Sequence, residues 1–373
     1  MKIKIERVKL YGAVSVLSKV INPKSTLPIL ASVKCVVKGD TLIMTGSDSE
    51  VTYTATLPLI EAEGEGEFCV SAASLNDSLA ALPDQPVFII TDENQQLTLI
   101  HQTGEMYFPT ESAENYPVPQ AQEFTSNVVV DGRLLAESIK RCLWCTTKDN
   151  LRPVMEGVCV SVEEGGVDVV ASNGVQMVKS TILCDCENGV RVILPKKAAK
   201  ILADLLGEGD VELKVNEQFA QLEQDEAVLT FRLVEGRYPN YNSVIRADSS
   251  KKAVIIRGWL MNALRTIIPF AQASTSQVML SFERAKLYVT GEDTDFRTGA
   301  KNSIDINYEG DPLKIAVAGS YLLALLANLK DESVELQMRN ESDSIIIVPN
   351  TEDADAAPEV EVLMLLQPMS VKE

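Results

Sequence analysis

The sequence predicts an α+β protein built from three similar units, and three observations lead to that fold class. A strand motif that ends in a polar turn occurs three times, a strand–helix motif follows each copy, and an amphipathic segment precedes each copy. Matching features recur about 120 residues apart. A unit of this size can hold its own core, which excludes an array of short repeats. We therefore expect three units, each with a sheet backed by two helices.

The strand motif supplies the clearest repeat. In each copy an apolar strand ends in a small residue, a polar residue and Asp or Asn, and a second strand follows. Asp48, Asn173 and Asp293 stand at the matching positions, and their recurrence favours a structural turn over a single active site. The copies are GDTLIMTGSDSEV at 39–51, GGVDVVASNGVQM at 165–177 and RAKLYVTGEDTDF at 284–296.

A strand–helix motif follows each strand motif. A short apolar strand and a break by a small residue or proline precede leucine-type residues spaced three and four apart, which predicts a helix. Pairs of strands with polar turns come next. The helical copies are FCVSAASLNDSLAALP at 68–83, VILPKKAAKILADLLG at 192–207 and IAVAGSYLLALLANLK at 315–330.

An opening helix is predicted at the start of each unit, over 6–21, 131–147 and 257–272. The second is the clearest, because its apolar residues fall on one face and its basic residues on the other. The apolar face carries Leu134, Leu135, Ile139, Cys142 and Leu143.

Two Tyr-Pro stretches mark the ends of the first two units. AENYPVPQ at 113–120 and VEGRYPNYNSVI at 234–245 both contain a proline that disfavours helix for the residue before it. We accordingly predict domains over 1–122, 123–246 and 247–373.

Composition excludes several classes of protein. The longest apolar runs are far shorter than the ~20 residues of a membrane-spanning helix. The first ten residues alternate charged and apolar side chains, unlike a signal peptide. Seven cysteines, an odd number, indicate reduced thiols. We expect a cytoplasmic protein with no membrane partner.

The sequence offers little for catalysis, and we expect neither an enzyme nor a cofactor. His101 is the single histidine, and a phosphate-binding glycine loop is missing. Cys142 and Cys145 in CLWC, with Cys184 and Cys186 in CDC, leave a zinc or thiol site open as an alternative. Cys142 falls on the apolar helix face, however, where cysteine behaves as a small hydrophobe. The alternative function is a cytosolic enzyme that uses these thiols or a carboxylate in a groove.

The net charge of −19 argues against a nucleic-acid partner only as a sum over the chain. The basic residues concentrate on predicted helices and beside them, which predicts one positive helical surface. They are Lys19, Lys24, Arg133, Lys140, Arg141, Lys148, Lys196, Lys197, Lys200, Arg257 and Arg265.

Six stretches, in this order within three equal units, carry a family resemblance: NPKSTLPIL at 22–30, LRPVMEGV at 151–158, ASNGVQMV at 171–178, ILPKKAAKIL at 193–202, VEGRYPNYNSVI at 234–245 and QPMSV at 367–371. The chain resembles the bacterial DNA polymerase III β subunit family, the sliding clamps. The resemblance implies three clamp domains per chain and a head-to-tail ring of two chains. The ring would encircle duplex DNA without sequence specificity and act as a processivity factor without a catalytic centre.

The resemblance also implies three sets of site residues. Those for DNA binding are Lys24, Arg133, Lys140, Arg141, Lys148, Arg152, Lys196 and Lys197. Those for a peptide-binding groove between the second and third domains are Met155, Ser172, Gly174, Val175, Met177, Pro239, Ser243, Val244, Thr275, Ser344, Leu365, Gln367, Pro368, Met369 and Val371. Those for the dimer interface are Met106, Pro269 and Phe270.

The partners that the resemblance implies are double-stranded DNA, the polymerase III α subunit, the clamp loader, and other proteins with a clamp-binding motif, such as repair polymerases, mismatch repair proteins and ligase. The chain departs from the family at two places. The family's Asp-Gly-His-Arg-Leu is Asn-Gly-Val-Gln-Met at 173–177, and its Met-Pro-Met-Arg-Leu ending is Gln-Pro-Met-Ser-Val at 367–371. We expect a less polar groove rim and a shifted peptide preference. A repeat scaffold that never meets DNA is a third possibility.

Overall fold

The computed structural model describes residues 1–92, 95–117, 122–147, 151–186, 189–245, 248–350 and 358–370. Within these ranges each predicted unit contains two α-helices, which confirms the sequence prediction. They are α1 (Arg7–Val20), α2 (Ala72–Ala81), α3 (Gly132–Leu143), α4 (Lys196–Leu205), α5 (Arg257–Ile267) and α6 (Gly319–Ala327). The helix α5 ends before Pro269, which cannot donate a backbone hydrogen bond, and the chain continues as a 3-10 turn over Ile268–Phe270.

Strands make up most of the remaining structure. The first repeat has β1 (Lys2–Glu6), β2 (Ser32–Lys38), β3 (Thr41–Ser47), β4 (Val51–Pro58), β5 (Glu61–Glu63), β6 (Gly66–Ser71), β7 (Pro86–Thr91), β8 (Gln96–His101) and β9 (Gly104–Glu111). The second has β10 (Ser126–Asp131), β11 (Val158–Glu163), β12 (Gly166–Ser172), β13 (Gln176–Leu183), β14 (Arg191–Leu194), β15 (Asp210–Val215), β16 (Phe219–Gln224) and β17 (Ala227–Arg232). The third has β18 (Lys251–Ile256), β19 (Gln277–Glu283), β20 (Lys286–Asp293), β21 (Thr298–Asp305), β22 (Asn307–Glu309), β23 (Leu313–Ala318), β24 (Ser333–Met338), β25 (Ile345–Pro349) and β26 (Val360–Leu366).

The strands before the three opening helices were not predicted. β1, β10 and β18 each precede the opening helix of a repeat and pair antiparallel with a later strand of the same repeat. Their alternating apolar residues carry the period-two signal of a strand, as in Lys2–Glu6 with its buried Ile3 and Ile5.

The chain forms two compact units, the first from Met1–Ala136 with Lys197–Glu235 and the second from Glu137–Lys196 with Gly236–Glu373. The first unit contains one sheet of strand order β10-β15-β16-β17-β4-β3-β2-β6-β9-β8-β7-β1-β5. The second contains two sheets, of order β14-β11-β12-β13-β26-β25-β24-β18-β22 and β21-β20-β19-β23. The strands of the middle repeat are thus divided, because β17 pairs with β4 and β13 pairs with β26.

Each unit has its own apolar core under its helices. In the first, α1 buries Leu10, Val14 and Leu17. In the second, α5 buries Leu260 and Leu264. Spacing of three and four residues places these side chains on one helix face, as the sequence pattern predicts.

The recurring Asp or Asn forms the same turn in all three repeats. One side-chain oxygen of Asp48 accepts hydrogen bonds from the backbone N–H of Glu50 and Val51, at 3.0 and 2.7 Å. Asn173 and Asp293 each accept the equivalent pair of N–H groups. The prediction of a structural turn is confirmed, since each carboxylate or amide replaces a backbone acceptor at a strand connection.

Candidate functional site

The floor of the predicted groove is a row of three side chains on neighbouring strands of the second unit. Met177 of β13 lies opposite Leu365 of β26, and Leu365 lies opposite Ile346 of β25. All three are buried, and Met155, which is predicted to belong to the same groove, is buried as well. The structure therefore brings together residues that are 188 positions apart in sequence, since β13 and β26 pair directly.

One wall of the groove is the turn between β12 and β13. The hydroxyl of Ser172 donates to the carbonyl of Gln176 at 2.8 Å and accepts from the N–H of Gly174 at 3.1 Å. Gly174 has φ +89°, and a Cβ there would lie 2.9 Å from the guanidinium of Arg152. Glycine suits this position because other residues rarely adopt this backbone conformation. The guanidinium of Arg152 therefore lies close to Gly174.

The second wall is the Tyr-Pro stretch that ends the middle repeat. Pro239, Ser243 and Val244 are exposed here, whereas Tyr238 and Tyr241 are buried. A Cβ on Gly236, which has φ +120°, would lie 2.8 Å from a methyl group of Val154. This close approach places the stretch against the short helix Pro153–Met155.

A buried polar network anchors that second wall. The hydroxyl of Tyr241 donates to the carboxylate of Asp168 at 2.9 Å, and Thr181 and Lys179 also donate to Asp168, at 2.7 and 2.9 Å. The side chain of Asp168 is only 3% exposed. Burial first, and then the Asp168 charge, raise the pKa of Tyr241 above its usual range. The phenol therefore stays protonated and keeps donating.

An ion pair lies beside the network. The guanidinium of Arg191 donates to the carboxylate of Glu163 at 2.7 Å, and Ser161 donates to the same carboxylate at 2.6 Å. The Ser161 hydrogen bond, followed by that of Arg191, lowers the pKa of Glu163. The guanidinium of Arg191 also lies 5.6 Å from the centre of the Tyr241 ring, so a cation faces this ring beside the second predicted wall.

The C-terminal segment completes the groove. The N–H of Gln367 donates to the carbonyl of Val175 at 2.9 Å, and the N–H of Met369 donates to the carbonyl of Ala316 at 2.7 Å. These bonds hold Pro368 between them. Ser344 directly precedes β25, and Thr275 is positioned by its bonds to Gln272. Val371 lies outside the described residues.

The groove has an apolar, buried floor and an accessible rim. Val175 and Val244 are 38% and 40% exposed, so apolar surface remains open to solvent between the two walls. Exposed apolar side chains beside backbone polar groups can contact an apolar side chain of a partner and fix its orientation.

The predicted DNA-binding residues fall into two groups. Lys24, Lys140, Arg152 and Lys196 are exposed, and Arg133 is half-buried. The guanidinium of Arg141 instead donates to the hydroxyl of Ser180 at 2.9 Å, and Lys197 donates to the Asp48 carboxylate and to the carbonyl of Val20. These two cations use part of their hydrogen-bonding capacity inside the protein. Lys148 lies outside the described residues.

The predicted interface residues lie on the surface of their own units. Met106 of β9 is half-buried in the first unit. Pro269 and Phe270 are exposed in the second unit, with Phe270 41% exposed. Large apolar side chains at the surface are candidates for contact with another chain.

The CLWC cysteines are core residues. Cys142 is fully buried and its thiol donates to the carbonyl of Val169 at 3.2 Å. Burial, as the largest cause, raises the pKa of Cys145 to about 12 and that of Cys142 further. Among the described residues no group of three or more His, Cys, Asp or Glu side chains could hold a metal ion. The described residues also contain no helix that is long and apolar enough to cross a membrane.

Thiol reactivity distinguishes this arrangement from the thiol-enzyme alternative. At pH 8 a maleimide reagent should modify at most the half-buried Cys184 and Cys186 in the folded protein, because the other five are buried and protonated. Protein unfolded in guanidinium should react at all seven cysteines. Rapid labelling of Cys142 or Cys145 in the folded protein, mapped by mass spectrometry, would support the alternative.

Sequence reasoning missed Asp168, Lys179 and Tyr241, which position the groove without lining it. The charged residues Asp168 and Lys179 stand inside apolar strand sequences, and this was the available signal, because an unpaired buried charge is very unfavourable. Their common partner Tyr241 lies over 60 residues away and could be found only from the fold.

Family comparison covers almost the entire chain. Models of the DNA polymerase III beta subunit match over 1–121 for its N-terminal domain, 129–240 for its central domain and 242–363 for its C-terminal domain. The beta sliding clamp of Pseudomonas putida is 25% identical over 351 residues, which cover 93% of this chain and 95% of that protein. The beta sliding clamp of Streptomyces coelicolor is 27% identical over 346 residues, 90% of each chain.

Solved structures show the same fold. The DNA polymerase III subunit beta of Pseudomonas aeruginosa aligns with a TM-score of 0.91 at 24% identity, and that of Thermotoga maritima with a TM-score of 0.90 at 20% identity, each over 100% of both chains. With three matching family models in order along the repeats, the chain belongs to the DNA polymerase III beta subunit family, the sliding clamps that serve as processivity factors of that polymerase.

Proposed function

We propose that two copies of this chain close head to tail into a ring around duplex DNA, without catalytic activity of their own, and tether the polymerase through the groove of the second unit. The domains would be 1–122, 123–246 and 247–373, and the ring would work in the cytoplasm. The observation that carries the proposal is one open sheet edge and one strand that is largely unpaired on one side, which match two junctions already formed inside the chain.

The two junctions join one repeat to the next through antiparallel strands. Tyr53 of β4 lies opposite Leu229 of β17, and Val178 of β13 lies opposite Met364 of β26. The strand equivalent to β4 and β13 in the third repeat is β21, which ends its sheet in the described part of the chain. The strand equivalent to β17 in the first repeat is β9, which pairs with β6 only through Thr110 and Glu111.

The two junctions also predict the strand register of a third junction, which would form between two copies of the chain. The strand register within each hairpin aligns the three repeats with one another. In this alignment Ala300 of β21 takes the position of Tyr53 and Val178, and Met106 of β9 takes the position of Leu229. Ala300 would then lie opposite Met106 of a second copy. The next pair would be Lys301 and Glu105, whose opposite charges favour this register.

Burial supports the same contact. Leu229 and Met364 are fully buried at their junctions, whereas the equivalent Met106 is half-buried in a single chain. Pairing with a second copy would cover Met106, and the exposed Pro269 and Phe270 belong to the same repeat as β21. These residues form the proposed dimer interface.

Contact with DNA would be weak and independent of sequence. Lysine and arginine side chains that face phosphates across water hold a duplex without reading bases. The proposed contacts are Lys24, Arg133, Lys140, Arg141, Lys148, Arg152, Lys196 and Lys197. A net charge of −19 would disfavour DNA on the rest of the surface, so enclosure of the duplex would supply the retention.

The groove would receive short peptide segments of the polymerase III α subunit, the clamp loader and repair proteins. Its floor combines Met155, Met177 and Leu365, and flexible apolar side chains can repack around related peptides. The rim lacks the arginines and histidine of the family pattern, so we expect weaker selection for acidic or polar flanks.

A disulfide across the proposed junction tests the ring. In an Ala300→Cys, Met106→Cys double variant, directly opposed Cα atoms would be about 4.5–5.5 Å apart, within disulfide range. Mild oxidation should give a covalent dimer on a non-reducing gel. If the ring is first loaded onto nicked circular DNA by the clamp loader, the oxidised dimer should stay on the circle in high salt and leave when the DNA is linearised.

The matched control is Ala300→Cys with Gly104→Cys, in which the residues are two positions out of register. Their Cα atoms would be about 7–8 Å apart, so cross-linking should be much weaker. Equal cross-linking of both variants would contradict the register. A strict monomer at micromolar concentration, or equal retention on linear and circular DNA, would contradict the ring.

A further inference from the structure

A cavity of about 570 Å³ lies on the sheet of the first unit, away from the groove described above. Its floor is made of β16, β17 and β4, whose side chains alternate between the core and the cavity. Leu229 and Phe231 are buried in the core, while the alternating neighbours Val228 and Thr230 line the cavity. The volume falls within the range of ligand pockets, about 300–1,000 Å³.

The cavity is the repeat counterpart of the groove, position by position. In the cavity floor Thr52 lies opposite Thr230, and Thr230 opposite Gln221. In the groove floor the same row is Met177, Leu365 and Ile346. The first row begins four residues after the turn residue Asp48, and the second begins four residues after Asn173. The cavity and the predicted groove therefore occupy matching positions in two repeats of the same fold.

The cavity walls repeat the groove walls. Pro117 follows buried Tyr116 in the first Tyr-Pro stretch, as Pro239 follows Tyr238 in the second. The hydroxyl of Tyr116 accepts a hydrogen bond from the N–H of Ser47 at 3.1 Å, which fixes the stretch to the strand motif. Leu30 in the short helix Pro28–Ala31 takes the place of Met155 in Pro153–Met155.

The chemistry of the two floors differs. Two hydroxyls and an amide, from Thr52, Thr230 and Gln221, replace three large apolar side chains. Apolar surface remains at Phe219, Val228 and Phe124. The cavity can thus bury one apolar side chain and hydrogen-bond the polar groups around it, which favours a more polar segment than the groove would take.

Charge identifies the occupant further. Glu50 is the one charged side chain that lines the cavity among the described residues, and it is exposed. The nearby Arg232 pairs with Glu235 at 2.8 Å and also interacts with the charge of Glu50, so these three side chains together carry one net negative charge. The predicted groove instead exposes the apolar side chains of Val175 and Val244 at its rim.

We infer that the cavity is a second docking site, for a short extended peptide that carries one leucine or aromatic anchor flanked by basic residues. The two sites of one chain would then select different partner segments, a basic one in the cavity and a more apolar one in the groove. This inference goes beyond the proposed function, since it requires neither DNA nor ring closure.

Two fluorescein-labelled probes test it on the full-length protein: the octapeptide Gly-Ser-Lys-Leu-Ser-Lys-Ser-Gly and its counterpart with both lysines replaced by glutamate. In fluorescence anisotropy at low salt, the basic probe should bind about fivefold more tightly than the acidic one, the preference expected for partly exposed charge pairs. Thr230→Arg should weaken binding of the basic probe at least about tenfold, because a long cation would fill the cavity floor.

Matched variants separate this inference from the proposed function. Glu50→Gln changes an exposed position and should leave folding intact. In this variant the ratio of the dissociation constants of the acidic and basic probes should fall towards one. Val244→Asp in the groove should weaken a consensus clamp-binding peptide and leave the basic probe unaffected. The inference is overturned if the basic probe fails to bind at millimolar concentration, or if it binds no more tightly than the acidic probe. It is also overturned if Val244→Asp abolishes binding of the basic probe and Thr230→Arg does not. Failure of the consensus peptide alone would count against the proposed groove and not against the cavity.

Discussion

Replacing Asp168 by alanine is expected to lower the free energy of unfolding of the second unit by about 3 kcal/mol. The carboxylate is 3% exposed and accepts from Lys179, Thr181 and Tyr241. Without it the ammonium of Lys179, whose side chain is 21% exposed, loses its partner in a site with little water. Urea titration followed by circular dichroism measures the loss.

Two further variants isolate the cause. Asp185→Ala removes the same charge from an exposed position, so it should change the stability by no more than about 0.5 kcal/mol. Tyr241→Phe removes one charge-assisted hydrogen bond and should cost about 1.5–3 kcal/mol. We also expect Tyr241→Phe to weaken binding of a consensus clamp-binding peptide, because Tyr241 anchors the wall that holds Val244. Equal stability of Asp168→Ala and Asp185→Ala would rule out the network as a stabilising element.

Phe231→Ala should destabilise the first unit by about 3–5 kcal/mol. Phe231 is fully buried in β17, where it lies opposite Val51 of β4 and Ala220 of β16. Truncation leaves a cavity at the junction between two repeats, and backbone pairing on both sides restricts relaxation. Thermal unfolding followed by circular dichroism should show the unfolding transition of the first unit shifted to lower temperature.

The neighbouring strand offers the control. Phe219 of β16 is half-buried on the opposite face of the sheet, so Phe219→Ala removes less buried surface and should cost less than half as much. If both variants lost the same stability, the core position of Phe231 would not explain its effect. Phe231→Leu, which keeps most of the apolar volume, should recover much of the stability.

Local pattern predicted much of this fold. The α+β organisation in three repeats, the two helices of each repeat and the structural turns at Asp48, Asn173 and Asp293 all follow from periodicity and repetition. Helix ends were less certain: the second opening helix was predicted to reach residue 147 but ends at Leu143. The short strands before the opening helices were missed, because five or six alternating residues resemble the approach to a helix.

The groove could be assigned only through family resemblance. Met155, Met177 and Leu365 read as ordinary core residues, and their burial agrees with that interpretation. Their use as a binding surface is a prediction that depends on the exposed residues proposed as the groove walls. Lys197 illustrates the opposite case, since a lysine on a predicted positive surface also bonds to Asp48 and to the carbonyl of Val20.

The sequence by itself determined the threefold repeat, the helices and strands within each repeat, and which of their faces are apolar. These features depend on helix and strand periods and on turn chemistry, which act over a few residues. Only the tertiary structure decided that the middle repeat divides its strands between two units, that β13 meets β26, and that Asp168 holds Tyr241. Pairing between distant strands depends on which edges become available once each sheet has formed. That property belongs to the folded chain and leaves no local signal in the sequence.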